Sequence, residues 1–169
     1  MKKYKVLFAD LDGTLIKTAS GKMFAEDCTD FWIRKDVLDK IKDMGKDLER
    51  VFIVSNQGGV PSYVSEWDLN AKINSIKCFV QAYCLVACSY DYCTSLNASD
   101  YRRKPNTGML QYAWDGWISR YGITKEECLM IGDASGKEGQ FSDSDKKCAE
   151  NFGIDYLDVE DFLNNTKLI

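Results

Sequence analysis

Short apolar runs alternate along the chain with stretches in which apolar residues recur at helical spacing. The runs at 6–9, 84–88 and 128–131 contain almost no polar residue, and the run that begins at 51 continues into a glycine-rich turn. Uninterrupted runs of this length are typical of strands buried on both faces of a parallel sheet. The pattern predicts strands at 6–9, 51–59 (ending in the turn), 84–88, 128–133 and 154–156.

The segments between these runs have the periodicity of amphipathic helices. The clearest spans 110–121, where apolar residues recur three, four, seven, eight and eleven positions after the first. Helices are predicted at 36–44, 65–82, 110–121, 143–152 and after Asp158, with a polar loop at 94–106. Strands that alternate with helices predict a doubly wound α/β fold, with a mostly parallel sheet and helices on both faces. We expect residues 1–169 to form one domain.

Polar side chains follow three of the predicted strands at the point where each strand ends. Asp10 and Asp12 follow the first, Ser55 and Asn56 end the second, and Asp133 follows the run at 128. In open parallel sheets ligands bind beyond the carboxyl ends of the strands. We therefore expect these side chains to converge on one site.

Composition and charge restrict the class of protein. The chain has 169 residues, a net charge of −4 and no histidine. No apolar run approaches the roughly 20 residues that cross a bilayer, and the short apolar run after the basic start is a strand rather than a signal peptide. We expect an intracellular monomer without a membrane partner. The acidic balance argues against wrapping long nucleic acid, although not against gripping a strand end.

The two aspartates of "FADLDGTL" (8–15) repel each other and need a compensating partner. Clustered carboxylates suit a hard cation, most simply Mg²⁺. An aspartate that attacks phosphorus forms an aspartyl-phosphate, and the developing charge then needs a cation and oriented donors. Without histidine, catalysis by Ser-His-Asp or Cys-His groups is excluded.

Two features have more than one interpretation. The seven cysteines read as free thiols in a reducing compartment, while Cys84, Cys88 and Cys93 leave a zinc site open. Among the aromatic residues, Trp32, Tyr63 and Trp67 flank loops, where they either stack on a base or are buried.

Four segments, "DLDGTL", "VSNQGG", "RRKP" and "IGDASG", occur in an order that resembles the motifs of the haloacid dehalogenase superfamily. Three longer segments resemble the 3′-phosphatase domain of polynucleotide kinase/phosphatase within it: "GTLIKTASGKMF" (13–24), "YRRKPNTGML" (101–110) and "GDASGKEGQFSDSDKKCAENFGIDY" (132–156). The resemblance implies a haloacid dehalogenase-like fold with a minimal cap. It also implies an enzyme, a Mg²⁺-dependent phosphatase that removes 3′-phosphates from nucleic acid ends, most simply DNA, in strand repair.

The resemblance also implies roles for individual residues. Asp10 would be the nucleophile and Asp12 the general acid and later the base, with Thr14 orienting Asp12. Ser55 would bind a phosphoryl oxygen, and Lys104 would neutralise the nucleophile and the phosphate. The metal ligands would be Asp10, the backbone carbonyl of Asp12, and Asp133. The substrate-binding residues would be Lys22, Asn56 and Arg103.

One position departs from the family pattern, which has an acid before the Phe-Ser of "QFSDSD", whereas this chain has Gln140. Asp145 ranks above Asp143 as a partner for Lys104 or the metal.

Two other functions stay open at this point: a phosphatase of the same superfamily for a small substrate (histidinol phosphate, a sugar phosphate or a nucleotide), and a non-catalytic module that binds strand ends. The sequence has no GxxxxGK[ST] motif, so 5′-kinase activity is not expected.

Overall fold

The fold is described from a computed structural model, which describes residues 3–22 and 25–168. Positions 23 and 24 of the "GTLIKTASGKMF" segment lie outside these residues. The strands are β1 (Val6–Ala9), β2 (Ile16–Lys17), β3 (Trp32–Ile33), β4 (Arg50–Asn56), β5 (Ala87–Cys93), β6 (Cys128–Gly132) and β7 (Asp155–Asp158). The α-helices are α1 (Lys35–Asp43), α2 (Glu66–Cys84), α3 (Gly108–Gly116), α4 (Ser144–Phe152) and α5 (Val159–Asn164). Short 3₁₀ helices span Gly45–Asp47, Ile118–Tyr121, Lys125–Glu127 and Thr166–Leu168.

The main sheet has the strand order β5-β4-β1-β6-β7, and every pairing in it is parallel. Alternate residues of β1 face opposite sides of this sheet. Leu7 and Ala9 pack in one core with residues of α1, α2 and α5, whereas Val6 and Phe8 pack in a second core with residues of α3 and α4. Helices therefore cover both faces, which confirms the doubly wound α/β prediction.

The segment between β1 and α1 carries the small antiparallel pair of β2 and β3, in which Ile16 pairs with Ile33. The resemblance implies a minimal cap, and this two-stranded insertion is the candidate for it. Buried Arg34 follows β3, and its Nη1 donates a hydrogen bond to the carbonyl of Gly13 at 3.2 Å. The two-stranded insertion is thereby tied to the turn that carries the first aspartates.

Two predicted elements are wrong in their bounds. The strand predicted at 84–88 is displaced: α2 continues to Cys84, Leu85 adopts a left-handed backbone (φ 57°), and β5 spans Ala87–Cys93, so only Ala87 and Cys88 of the predicted strand belong to it. The helix predicted at 110–121 ends at Gly116, after which Ile118–Tyr121 forms a 3₁₀ turn. Glycine weakens the helix at that point.

The aromatic residues with two interpretations are exposed. Trp32, Tyr63 and Trp67 are 69, 84 and 78% exposed, so burial is the wrong interpretation for all three. In the part of the chain that the structure describes, no helix is long and apolar enough to cross a membrane.

Candidate active site

Three carboxylates meet at the carboxyl end of the sheet. Asp10 follows β1, Asp133 follows β6, and Asp145 lies in the first turn of α4. One oxygen from each lies within 4.8 Å of the others. Convergence of strand ends thus brings Asp10 and Asp133 together as expected, and α4 adds Asp145.

Lys104 inserts between two of these carboxylates. Its Nζ lies 2.6 Å from Oδ1 of Asp10 and 2.7 Å from Oδ1 of Asp145, and it donates to the carbonyl of Val54 at 2.9 Å. The lysine is only 3% exposed. A buried ammonium group has to be paired in this way, because its loss of hydration is otherwise too costly. Asp143 instead pairs with Lys147 at the surface, so the ranking of Asp145 above Asp143 is confirmed.

Two glycines make room for the carboxylates. A Cβ atom on Gly13 would lie 1.9 Å from Oδ2 of Asp133, and one on Gly132 would lie 2.2 Å from Oδ2 of Asp145. Gly13 also has a φ of +84°, which favours glycine. Any side chain at either position would displace a carboxylate of the cluster.

The cluster carries more negative charge than Lys104 neutralises. Burial raises the pKa of Asp10 well above its ordinary value; attraction to Lys104 opposes this shift, and repulsion from Asp145 and Asp133 adds to it. Burial, with repulsion from Asp145, raises the pKa of Asp133 to about 6. Burial alone would lower the pKa of Lys104, but attraction to Asp10 and Asp145 raises it.

A divalent cation fits this arrangement. Three closely spaced carboxylates face a single ammonium group, and they are the hard oxygen donors that Mg²⁺ prefers. Asp10, Asp133 and Asp145 form the only group of three or more potential side-chain ligands among the residues that the structure describes. The backbone carbonyl of Asp12 stays a predicted ligand.

The side chain of Asp12 lies apart from this cluster and contacts two residues that sequence reasoning missed. Its Oδ2 accepts a hydrogen bond from Nε2 of Gln57 at 2.6 Å, and its Oδ1 lies 3.4 Å from Nζ of Lys72. Nε2 of Gln57 also lies 2.7 Å from Oγ of Ser55, which is buried at the end of β4. Ser55 is thereby linked to Asp12.

Thr14 and Asn56 make contacts other than those predicted. Oγ1 of Thr14 donates to Oδ2 of Asp10 at 3.4 Å, so the hydroxyl orients Asp10 rather than Asp12. The amide of Asn56 makes two hydrogen bonds to the backbone of Lys104: Nδ2 donates to its carbonyl at 2.9 Å, and Oδ1 accepts from its N–H at 3.0 Å. Asn56 therefore positions Lys104, and its amide is already engaged.

The structure does not bring Lys22 or Arg103 into contact with the carboxylate cluster through any hydrogen bond or ion pair of the described residues. Exposed Lys22 pairs with Glu26, and Nη1 of Arg103 donates to the carbonyl of Ser95 at 2.7 Å. Their roles in substrate binding stay predictions.

Lys72 had a detectable signal in the sequence. It lies three residues after Leu69 and one before Ile73, on the apolar face of α2. A lysine on the buried face of a helix usually has a carboxylate partner. Gln57 lies within the "VSNQGG" segment, and no other pattern in the sequence indicates its contact with Asp12.

A zinc site at the three cysteines does not agree with the structure. Cys88 and Cys93 lie on opposite faces of β5 and pack in different cores. Cys84 lies in the last turn of α2, where its sulfur donates to the carbonyl of Leu38 at 3.5 Å. Because two of the three thiols face opposite sides of the sheet, they cannot share one ion.

Solved structures give the class of the fold. The protein is similar to D,D-heptose 1,7-bisphosphate phosphatase from B. bronchiseptica, crystallised with magnesium and phosphate, with a TM-score of 0.68. The match has 18% identity and covers 90% of this chain and 78% of the other. The fold is that of the haloacid dehalogenase-like phosphatases.

Sequence comparison gives the family within that class. The family model for polynucleotide kinase 3 phosphatase matches residues 5–163, and the chain therefore belongs to this family. The chain is 32% identical to the bifunctional polynucleotide phosphatase/kinase of Schizosaccharomyces pombe, over 96% of its own length and 38% of that protein. It is 24% identical to the polynucleotide 3′-phosphatase ZDP of Arabidopsis thaliana, over 94% of its own length and 24% of that protein. The chain thus spans well under half of these two relatives.

Proposed function

We propose that the protein is a Mg²⁺-dependent phosphatase that removes the 3′-phosphate from nucleic acid strand ends, most simply DNA, and so acts in strand-end repair. The observation that carries the proposal is the buried cluster of Asp10, Lys104, Asp133 and Asp145 in a chain of the polynucleotide 3′-phosphatase family. Because nucleic acid strand ends lie inside the cell, the proposal includes an intracellular location.

Asp10 acts as the nucleophile in this proposal. A carboxylate oxygen of Asp10 forms a bond to phosphorus while the bond from phosphorus to the 3′-oxygen breaks, and Asp12 gives its proton to that oxygen. In the second step Asp12 removes a proton from water, whose oxygen attacks phosphorus while the bond from Asp10 breaks. The 2.6 Å contact with Lys104 opposes the rise that burial causes in the pKa of Asp10 and thereby favours the ionised form that attacks phosphorus.

The charge on the transferring phosphoryl group needs oriented donors and cations. Lys104 lies beside Asp10, and Ser55 lies at the adjacent strand end, so both are suited to contact phosphoryl oxygens. Mg²⁺ would be held by Asp10 and Asp133, with the carbonyl of Asp12 as expected from the family and with Asp145 beside them. When bound, the ion would neutralise negative charge on the phosphoryl oxygens.

The test measures phosphate release from three substrates under one set of conditions: a 3′-phosphorylated oligonucleotide, the same strand with a 5′-phosphate, and histidinol phosphate. We expect release from the 3′-end at a kcat/KM far above the other two, loss of activity with EDTA, and recovery with Mg²⁺. Asp115→Asn removes an exposed carboxylate of α3 that lies outside the cluster, and this control variant should keep full activity.

Each alternative predicts a different result. Preference for a small ester would leave only a small-molecule phosphatase of the same superfamily. Binding of the 3′-phosphorylated strand without phosphate release from any substrate would indicate a non-catalytic module. Activity lost with a zinc-selective chelator and restored only by zinc would contradict the magnesium site.

A further inference from the structure

The side chain of Asp12 is held at both of its oxygens. Gln57 donates to Oδ2 at 2.6 Å, and the ammonium group of Lys72 lies 3.4 Å from Oδ1. The carboxylate itself remains half exposed, so a substrate can reach it. Fixing an exposed aspartate in one orientation costs side-chain entropy, which these two contacts offset.

We propose that Lys72 and Gln57 are positioning residues that hold Asp12 in the orientation needed for proton transfer to the leaving oxygen. This inference rests on the proposed role of Asp12 as the general acid. It assigns to Lys72 and Gln57 the orienting role that the family resemblance implies for Thr14, whose hydroxyl contacts Asp10 instead.

The burial of Lys72 supports this role. Its side chain is only 6% exposed, its Nζ lies 5.7 Å from the ring centroid of Phe31, and its charged partner is Asp12. If Asp12 moved away, the buried ammonium group of Lys72 would have an unpaired charge, which is costly. This cost keeps Asp12 beside Lys72. Helix α2 delivers the lysine, and Ser65 fixes the start of that helix by accepting from the N–H of Asp68.

Gln57 is held equally well. Its backbone N–H donates to the carbonyl of Cys93 at 2.7 Å, directly after β4. Its amide nitrogen lies 2.6 Å from Oδ2 of Asp12 and 2.7 Å from Oγ of Ser55. A single amide therefore joins the proposed acid to the residue proposed to bind the phosphoryl group.

Orientation of the acid matters most when the leaving oxygen is strongly basic. A poor leaving group must receive the proton as its bond to phosphorus breaks, whereas p-nitrophenolate leaves without one. Misplacing Asp12 should therefore slow phenyl phosphate far more than p-nitrophenyl phosphate. A merely structural defect, or a loss of phosphate binding, would slow both substrates alike.

The experiment measures single-turnover release of phenol and p-nitrophenol by the full chain with Mg²⁺. The variant is Lys72→Met, which removes the charge and keeps most of the stem. The matched control is Lys77→Met on the same helix, whose Nζ lies 5.9 Å from the ring centroid of Tyr90. Gln57→Leu provides a second variant that removes the other contact, and thermal unfolding of each variant checks the fold.

For Lys72→Met we expect phenol release to fall about tenfold or more, with p-nitrophenol release within about threefold of the parent. Gln57→Leu also removes the contact with Ser55, so for this variant we expect phenol release to fall about tenfold further than p-nitrophenol release. Lys77→Met should leave both rates unchanged. Equal losses for the two esters, a rise in KM alone, or no loss in either variant would overturn the proposal. Because both substrates are simple aryl esters, a failed preference for 3′-ends would not affect this result.

Discussion

At the scale of single residues, the site depends on carboxylates that lie closer together than their charges favour. Lys104 compensates two of them, and glycine leaves the space in which they approach. The glycine of "DLDGTL" is therefore as much a part of the site as its aspartates. We expect a methyl group at this position to disrupt the cluster.

Gly13→Ala tests this expectation against a control with the same backbone. Gly13 and Gly139 have φ angles of +84° and +83°, but a Cβ on Gly139 would meet nothing within 4 Å. Both alanine variants should lose about 1–2 kcal/mol of stability from the left-handed backbone. Gly13→Ala alone should also lose about 100-fold in phosphate release, because Asp133 is displaced.

Urea unfolding gives the loss of stability of each alanine variant, and the rate of phosphate release with Mg²⁺ gives its loss of activity. Equal activity in the two variants would show that the approach of Asp133 to Gly13 does not matter for turnover.

Sequence reasoning at this scale succeeded where a residue ends a strand and failed where a side chain reaches across elements. Asp10 and Asp133 follow adjacent parallel strands, so their proximity follows from the topology. The partners of Thr14 and Asn56 depend on rotamers and on the path of the 94–106 loop, which no periodicity encodes. Lys72 is 60 positions from Asp12 and meets it only after α2 has packed.

At the scale of elements, the loop between β6 and α4 is tied to the start of α5 through Asp158. This residue accepts hydrogen bonds from Oγ of Ser135 and Nε2 of Gln140, both at 2.6 Å, and pairs with Lys137 at 3.1 Å. It also caps α5 by accepting from the N–H of Glu160. A glutamate at 140 could not donate to Asp158, which explains how glutamine suits this chain.

Acid should weaken this connection. Burial alone would raise the pKa of Asp158, but hydrogen bonds from Ser135 and Gln140 and the pairing with Lys137 lower it to about 2. The folded pKa is below the ordinary value of 3.8, so the contribution to stability is present above pH 4 and is lost as the pH falls towards 2.

Asp158→Asn should therefore unfold at lower urea concentration than the parent at pH 7, and the difference should narrow between about pH 4 and pH 2. Urea titrations at a series of pH values measure it. A difference that stays constant across that range would contradict the assigned role of the charge.

The prediction of strands from the sequence failed for β5, a strand that is partly exposed to solvent. β5 is an edge strand that pairs only with β4, and its "ACSYDYC" mixes polar with apolar residues. The strand was therefore predicted at the purely apolar run 84–88, which overlaps only the first two residues of β5. The buried strands β1, β4 and β6 have no such exposure, and their positions were predicted to within a few residues.

At the scale of the whole molecule, the acidic surface restricts how a strand can be held. The net charge is −4, and many cations already have carboxylate partners. Those pairs include Lys22 with Glu26, Arg102 with Asp91, Lys137 with Asp161 and Lys147 with Asp143. Few phosphates of a bound strand can then be neutralised.

The binding of a 3′-phosphorylated single strand should consequently depend only weakly on salt. With roughly two or three phosphate contacts, the apparent association constant, taken as 1/KM, should fall with salt. The slope of its logarithm against the logarithm of the salt concentration should lie between about −1.4 and −2.1. The measurement is KM for a short oligonucleotide over a series of salt concentrations. A slope several times steeper would indicate a broad basic surface that this account does not contain.

The central claim is that phosphate from a 3′-end is transferred to Asp10. The measurement that tests it most directly mixes excess protein with an oligonucleotide labelled in its 3′-phosphate and quenches the reaction with acid within a single turnover. We expect label on the protein, located at Asp10 by peptide mapping and absent from a folded Asp10→Asn variant. Equal labelling by a 5′-phosphate, or Asp10→Asn turnover within about tenfold of the parent, would contradict the claim.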